Sequence, residues 1–318
     1  MEVSFVRRIA HLSDVHILDA RGGTRGARYR FATKLVNIGQ GAVDPMRRMR
    51  RLARALRTAK EHHADHIVIS GDLTEVGEDV EFEQFAEILH DANLPEDSVT
   101  LVPGNHDVYT RGDAWTRAMQ GPLARFASAS AATAGKVVDR GDVAFLPIDT
   151  TRFQTMAWSG GLFTEETAGK VNQRMKDPAF RDKAMVLVMH HPPFHPIRAM
   201  KWIDGLRGGA NVLQLLAQHP TLALLHGHLH RIFNHILATS SAAFAVFGRS
   251  AEELVLRKAE ANDTSTRLFG APATCNGPDE SDGSEGSSSK GTEAGLRFYD
   301  VVDGLLHAHE ISVPTRAT

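Results

Sequence analysis

The chain has 318 residues, 42% apolar and 23% charged, a composition that suits a globular protein with one large α/β domain or two smaller ones. Lys plus Arg number 36 against 38 Asp plus Glu, a formal charge of −2, which speaks against a wholesale nucleic-acid binder. The one cysteine, Cys275, rules out an intrachain disulfide and leaves a thiolate-bound metal without support. Met1 to Arg8 lacks the long apolar stretch of a signal peptide, and no run approaches the ~18 apolar residues of a spanning helix. The expected location is cytoplasmic, with peripheral membrane contact left open.

Ile9-Ala10-His11-Leu12 opens the chain as a central strand and ends at Ser13-Asp14-Val15-His16. Arg21, Arg25, Arg28 and Arg30 follow in a Gly- and Arg-rich loop, which reads as solvated surface with one or two arginines available to a phosphate. Residues 46 to 61 are expected to be helical, because Met49, Leu52, Ala53 and Leu56 recur at i, i+3, i+4 and i+7. Arginines fill much of the rest of that helix; they form either a solvated basic face or, through 46–57, a contact with an anionic membrane. His66 to Ser70 reads as the second strand and ends at Gly71-Asp72. A helix near 79–92 and a third strand over Val99 to Val102 follow, the strand ending at Pro103-Gly104-Asn105-His106-Asp107.

Residues 113 to 133 are expected to be helical, and a hairpin is expected about Arg140-Gly141-Asp142. Thr164 caps a helix running to about Lys176. Ala184 to Met189 reads as a strand buried on both faces, ending at His190-His191-Pro192-Pro193. A short helix over 209–218 precedes the run Leu222 to Leu225, which ends at His226-Gly227-His228-Leu229-His230. Residues 232–275 hold strand-like pieces and one expected helix, Ala251 to Ala261. Asn276 to Thr292 has no large apolar residue and is expected to be a disordered loop. Leu296 to Val302 and Leu306 to Val313 then form a closing hairpin about Asp303-Gly304.

Five polar motifs thus stand at the ends of apolar runs: Asp14-x-His16, Gly71-Asp72, Gly104-Asn105-His106-Asp107, His190-His191 and His228-x-His230. In open α/β folds the carboxyl ends of the strands face the ligand, so the five endings are expected to converge. Carboxylates, an amide oxygen and imidazoles without thiolate suit Mn, Fe, Zn or Co. Seven candidate ligands exceed the needs of one ion but suit two that share a bridging carboxylate, about 3.5–4 Å apart, a recurring device for attack at phosphorus.

In this order the motifs resemble those of the calcineurin-like metallophosphoesterases, over residues 9 to 231. The resemblance implies a four-layer αββα sandwich, two mixed β-sheets flanked by helices. With the loop and hairpin read above, the expected division is a metallophosphoesterase domain over 1–275, the disordered Ser/Gly/acidic loop 276–292, and a closing β-hairpin of the same domain over 293–318. It implies a first divalent ion on Asp14, His16 and His230, a second on Asn105, His190 and His228, and Asp72 as the bridge. His106 resembles the family's catalytic histidine, and Asp107 is grouped with it as a residue that orients its neighbours. His191, His195 and His226 are expected to support the site at most. Hydrolysis by a hydroxide held between the ions is the implied reaction.

The His190-His191-Pro192-Pro193 form and the compact size look most like the class III cyclic-nucleotide phosphodiesterase branch. The expected partner is therefore a small phosphoester, with no nucleic acid; the oligomeric state is open. The alternative is a pyrophosphohydrolase for a nucleotide-linked lipid precursor at the membrane surface. A non-catalytic scaffold is disfavoured, because every ligand position carries the expected residue type. The length of 232–275 and the acidic Ser/Gly loop depart from the family pattern; the first is expected to form a cap or an oligomer contact.

Overall fold

The structure, a computed structural model, describes residues 7–20, 44–197, 199–240, 253–258, 267–276 and 295–309. In chain order its main elements are β1 (Arg7–Leu12), α1 (Pro45–Glu61), β2 (His66–Ser70), α2 (Asp79–Asp91), β3 (Val99–Val102), α3 (Ala114–Gln120), β4 (Val138–Asp139), β5 (Val143–Pro147), α4 (Glu165–Met175) and β6 (Ala184–Val188). Then come α5 (Lys201–Asp204), α6 (Gly209–Gln218), β7 (Leu222–His226), β8 (Phe233–Ser240), β9 (Glu253–Lys258), β10 (Leu268–Gly270), β11 (Arg297–Val302) and β12 (Leu305–His309). They build two mixed sheets, ordered β12-β11-β1-β2-β3 and β4-β5-β6-β7-β10-β8-β9, with helices on the outside. This is the expected αββα sandwich.

Strands β2, β3, β5, β6 and β7 are buried along their whole length, as parallel strands covered on both faces must be. Their side chains alternate between two cores. Val143, Phe145, Val186 and Leu225 join Ile9, Val68 and Tyr299 between the sheets, whereas Ala144, Leu146, Met185 and Leu187 pack under α4 and α6 with Val171, Val212 and Leu216. Helix α1 starts where Asp44 accepts the backbone N–H of Met46 and Pro45 takes the first position. It buries Leu52 and Leu56 of the predicted stripe together with Ala55 and Ala59, while Met49 and Ala53 are partly buried at its margin. The turn between β11 and β12 places Asp303 and Gly304 at φ 50° and 73°, as a two-residue hairpin of this hand requires.

Three expectations are corrected. Residues 251–261 contain no helix among the described residues; Glu253–Lys258 is a strand paired antiparallel with β8, from Ser240↔Glu253 to His235↔Lys258. Good helix formers there are overridden by cross-strand pairing. Only Ala114–Gln120 of 113–133 is α-helical, because Gly121-Pro122 ends it and a short 3-10 turn, Ala124–Ala129, follows. The basic face of α1 is not wholly solvated, because Arg48 is buried. The arginines between 21 and 30, most of the loop 276–292 and the end of the closing hairpin lie outside the described residues. Among the described residues, no helix is long and apolar enough to cross a membrane.

Candidate metal centre

The carboxyl ends of β1, β2 and β3 from one sheet and of β6 and β7 from the other meet at one edge. Backbone hydrogen bonds lock them: Asp14 N–H to Gly71 O at 3.0 Å, His16 N–H to Asp72 O at 2.9 Å, and Gly227 N–H to His190 O at 3.1 Å. Two glycines permit this crowding. A Cβ at Gly104 would collide with the backbone and carboxylate of Asp72, and one at Gly227 would collide with Ser13 and Asp14. The loops are strained as well. Eight non-glycine residues among those described have positive φ, and five of them are Asp14, His16, Asp72, His228 and His230, at φ 51–69°. Each such residue costs roughly 1–3 kcal/mol, and strain of this kind collects at functional sites.

The structure places the residues singled out as ligands on these strand ends, and the donor atoms of six of them, all but Asn105, lie within 4.8 Å of another's. Asp14 Oδ1 lies 3.1 Å from His230 Nε2, and His16 Nε2 lies 3.4 Å from His230 Nε2. Asp72 Oδ2 lies 3.3 Å from His190 Nε2 and 3.8 Å from His16 Nε2. Donor atoms of Asp14, His16 and His230 lie within 4.8 Å of one another, as do those of Asp14, Asp72 and His190. Asp14 is common to both groups, and Asp72 Oδ2, within 3.8 Å of both His16 and His190, lies between donors of the two expected ligand sets.

These donors fit cations better than they fit each other. Asn105 Oδ1 is buried with no hydrogen-bond partner, and Asp14 Oδ1 and His190 Nε2, equally buried, face only His230 and Asp72 without a well-formed hydrogen bond, an arrangement that is costly unless something else binds them. The other atom of each ring or amide is already committed. His190 Nδ1–H donates to Ser70 O at 2.7 Å, and Asn105 Nδ2–H donates to the Tyr109 hydroxyl at 2.7 Å. His228 Nε2–H donates to Asp204, 2.9 Å from its carbonyl and 2.7 Å from its carboxylate, which leaves Nδ1 for the cluster. His16 is backed by Glu75, with Nδ1 3.4 Å from Oε2. Carboxylates or carbonyls behind an imidazole fix its tautomer and aim, as around bound metals.

The electrostatics agree with a site that calls for positive charge. Burial would raise the carboxyls of Asp14 and Asp72, but the surrounding histidines hold both below the usual range. Burial also opposes a proton on His190, yet Asp72 and Asp14 push its pKa up to about 9. Burial likewise works against protonation of His230, and Asp14 outweighs it.

His106 sits at the same edge, partly exposed. Its backbone N–H donates to Asp72 Oδ1 at 2.9 Å and its Nδ1–H to Glu75 O at 2.7 Å, so Nε2 is the atom left for chemistry, 4.0 Å from Asp72 Oδ2. Asp107 does not reach that position. Its carboxylate accepts the backbone N–H of Leu73, Thr74 and Gly104 at 3.1, 2.9 and 2.8 Å, and the Thr74 hydroxyl at 2.7 Å. It staples the Asp72 loop to the Asn105 loop and is a positioning residue. Burial, then the charge of Asp72, raise its pKa to about 6.

Of the remaining histidines, His191 has no nitrogen to spare. Thr150 donates to Nδ1 at 2.8 Å, and Nε2–H donates to Ser159 O at 2.9 Å. His226 is buried under the strand end, and His195 Nε2–H donates to Asp204 at 3.1 Å. The sequence reading missed four residues around the centre: Glu75, Arg48, Tyr109 and Asp204. Glu75 had a signal, three positions after Asp72. Arg48 was lost among its arginine neighbours, although it is buried and donates to Glu75 and, at 2.7 Å, to His16 O. Asp204 belongs to no motif.

Paired sheets that converge buried carboxylate, amide and imidazole donors on one edge define a two-metal hydrolase architecture. The model of the calcineurin-like phosphoesterases matches residues 7–231, and the chain belongs to that family. It is therefore a phosphoric ester hydrolase with a dimetal centre. A dimetal phosphatase from Danio rerio shares the fold, with a TM-score of 0.53 and 13% identity over 92% of both chains. So does a purple acid phosphatase from yellow lupin (Lupinus luteus) seeds, with a TM-score of 0.50 and 11% identity; the match covers 97% of this chain and 52% of that one. No sequence among curated proteins matches.

Proposed function

We propose that the protein is a phosphodiesterase whose two ions are held by Asp14, His16 and His230 on one side, and by Asn105, His190 and His228 on the other, with Asp72 between them. The observation that carries this reading is the set of buried ligand atoms on Asp14, Asn105 and His190 that make no well-formed hydrogen bond and face one another across the strand ends. Nitrogen and oxygen donors without thiolate suit Mn, Fe, Zn or Co. When bound, such ions supply Lewis acidity toward a phosphoryl oxygen and make hydroxide available at neutral pH.

The chain's own part is to aim and to move a proton. Glu75 and Asp204 fix the rings of His16 and His228. Asp107 and the backbone N–H of His106 hold the Asp72 loop in register. His106, with Nδ1–H committed to Glu75 O, presents Nε2 to the leaving oxygen and hands it a proton as the ester bond breaks. Small diesters, including 3′,5′-cyclic nucleotides, are the proposed substrates.

A second reading, hydrolysis of a nucleotide-linked lipid pyrophosphate, is favoured by one observation. Phe153 and Ile197, on loops, and Trp202, on α5 next to Asp204, are 60%, 58% and 73% exposed. Both readings are tested by one panel, in which Mn²⁺-loaded protein meets a chromogenic diester, a chromogenic monoester, cyclic AMP, cyclic GMP and a nucleotide-diphospho-lipid. Diester turnover above monoester turnover, lost with chelator and in Asp72→Ala, is the expected result. A preference for the pyrophosphate would replace the first reading with the second. Failure to cleave any diester with two ions bound would end the phosphodiesterase assignment.

A further inference from the structure

A cavity of about 290 Å³ lies beside the metal centre, between the loop that follows β5 and the segment around α5. Arg152, Gln154, Trp158, Trp202 and Arg207 line it. The two walls are hydrogen-bonded to each other: Ser159 N–H donates to Ile203 O at 3.2 Å, Arg207 N–H to Gly161 O at 3.0 Å, and the Ser159 hydroxyl to Asp204. They are also part of the centre's frame. Asp204, which accepts from His228, stands between the lining residues Ile203 and Gly205, and Ser159, which accepts from His191, stands between Trp158 and Gly160.

The lining carries chemistry that the metal centre does not use. Arg207 lies over the Trp202 ring, 5.9 Å from guanidinium carbon to ring centroid. Among the described residues neither Arg152 nor Arg207 has a carboxylate partner, so two guanidinium groups face the cavity without a counter-charge. Trp158 is 38% exposed and Trp202 73%, so much of each indole faces solvent even with Arg207 over the Trp202 ring. The Gln154 amide donates to Gly160 O at 2.7 Å, which leaves its oxygen as an acceptor. Unpaired guanidinium groups recognise phosphate oxygens, an open indole face stacks a planar base, and an amide oxygen accepts from an exocyclic amine.

We infer that this cavity is the nucleotide-recognition subsite of the enzyme. Trp202 stacks the base, Trp158 closes the opposite side, and Arg152 and Arg207 take anionic oxygens that the metal centre does not hold. The inference rests on the phosphoesterase reading for the scissile phosphate and adds where, and by which side chains, the nucleoside of the substrate is held.

The test is calorimetric titration of the full chain, Mn²⁺-loaded and chelator-treated, with AMP, ribose 5-phosphate and adenosine. Binding of AMP roughly tenfold to a hundredfold tighter than ribose 5-phosphate, as expected for one stacked base, supports the subsite. Trp202→Ala must erase that preference, and Arg207→Ala must weaken AMP and ribose 5-phosphate together. Both side chains are exposed, so the variants fold. Equal binding of AMP and ribose 5-phosphate, or a preference that survives Trp202→Ala, overturns the inference. So does loss of sedimentation with phosphatidylglycerol vesicles in Trp202→Ala while its nucleotide binding is unchanged, since the indole would then face lipid. The two readings fail separately. Nucleotide preference without ester hydrolysis sinks the catalytic reading alone, and diester hydrolysis without nucleotide preference sinks the subsite alone.

Discussion

His16 and His228 are each held by a carboxylate behind the ring, but the two carboxylates are anchored in different kinds of structure. Glu75 is 3% exposed and is gripped by Arg48 from α1, whose guanidinium also holds the His16 carbonyl. Burial would raise the Glu75 carboxyl; the hydrogen bond and charge of His16, with Arg48, bring it down to about 2. Asp204 is 22% exposed and is held by His195 and by Ser159, whose loop also walls the cavity. One half of the centre is thus braced from the core, and the other from the part of the molecule that meets substrate. Stability and specificity are divided between the two sides.

The largest expected effect falls on the residue the halves share. Asp72→Ala should lower diester turnover by more than about 10³-fold, because both ions lose a ligand and their charge no longer reaches phosphorus. Metal analysis of the purified variant should find both ions depleted. Retention of either ion at full occupancy would mean that the two halves bind independently and that Asp72 does not bridge. Next in size is His106→Asn, which should cost about 10²–10⁴-fold in kcat, the usual worth of a positioned acid. Its metal content should be unchanged, and depletion would move His106 into the ligand set.

The contrast itself is tested by Glu75→Gln against Asp204→Asn. Each should weaken metal binding by about 10–100-fold, since each releases one ligand's ring. Only Glu75→Gln should also destabilise the fold, by about 3–5 kcal/mol, because Arg48 would be left as a buried unpaired charge. Urea midpoints of the two variants read this directly. Equal loss of stability in both would erase the proposed division between a braced side and a substrate side.

Much of this was legible in the sequence because two periodicities survive in it. Apolar runs bounded by polar endings marked β1, β2, β3, β6 and β7, and the endings carried Asp14, Asp72, Asn105, His190 and His228. Helices with one apolar stripe, such as α1 and α6, fell within a residue of expectation. What escaped depends on contacts across long sequence separations. Glu253–Lys258 reads as helix until its partner β8 is known. Asp204 supports His228 from 24 positions away on a four-residue helix, and Arg48 differs from its neighbours only in which way it faces. Local pattern holds no record of such choices.

The smallest effect separates acid sensitivity of the fold from that of the centre. His66 lies on β2, the strand that delivers Asp72, but its ring is remote from the cluster. It stacks on Phe145 with centroids 4.3 Å apart, and Nε2 pairs with the Thr100 hydroxyl at 2.9 Å. Burial pushes its pKa down to about 3 from the 6.5 of an exposed imidazole. The folded state refuses a proton that the unfolded state accepts, so the contribution is intact above pH 6.5 and is lost as pH falls toward 3. Between pH 7 and pH 5 the wild type should lose about 2 kcal/mol through this group. His66→Phe keeps the stack and removes the titration, so its stability should fall by that much less over the same interval. It will start lower at pH 7, because the Thr100 hydroxyl loses its partner, at a cost of about 1 kcal/mol. Urea midpoints at the two pH values measure both effects. A pH dependence unchanged by His66→Phe would assign the acid limb to the metal centre, whose carboxylates and imidazoles then could not be treated apart from the stability of the sheet beneath them.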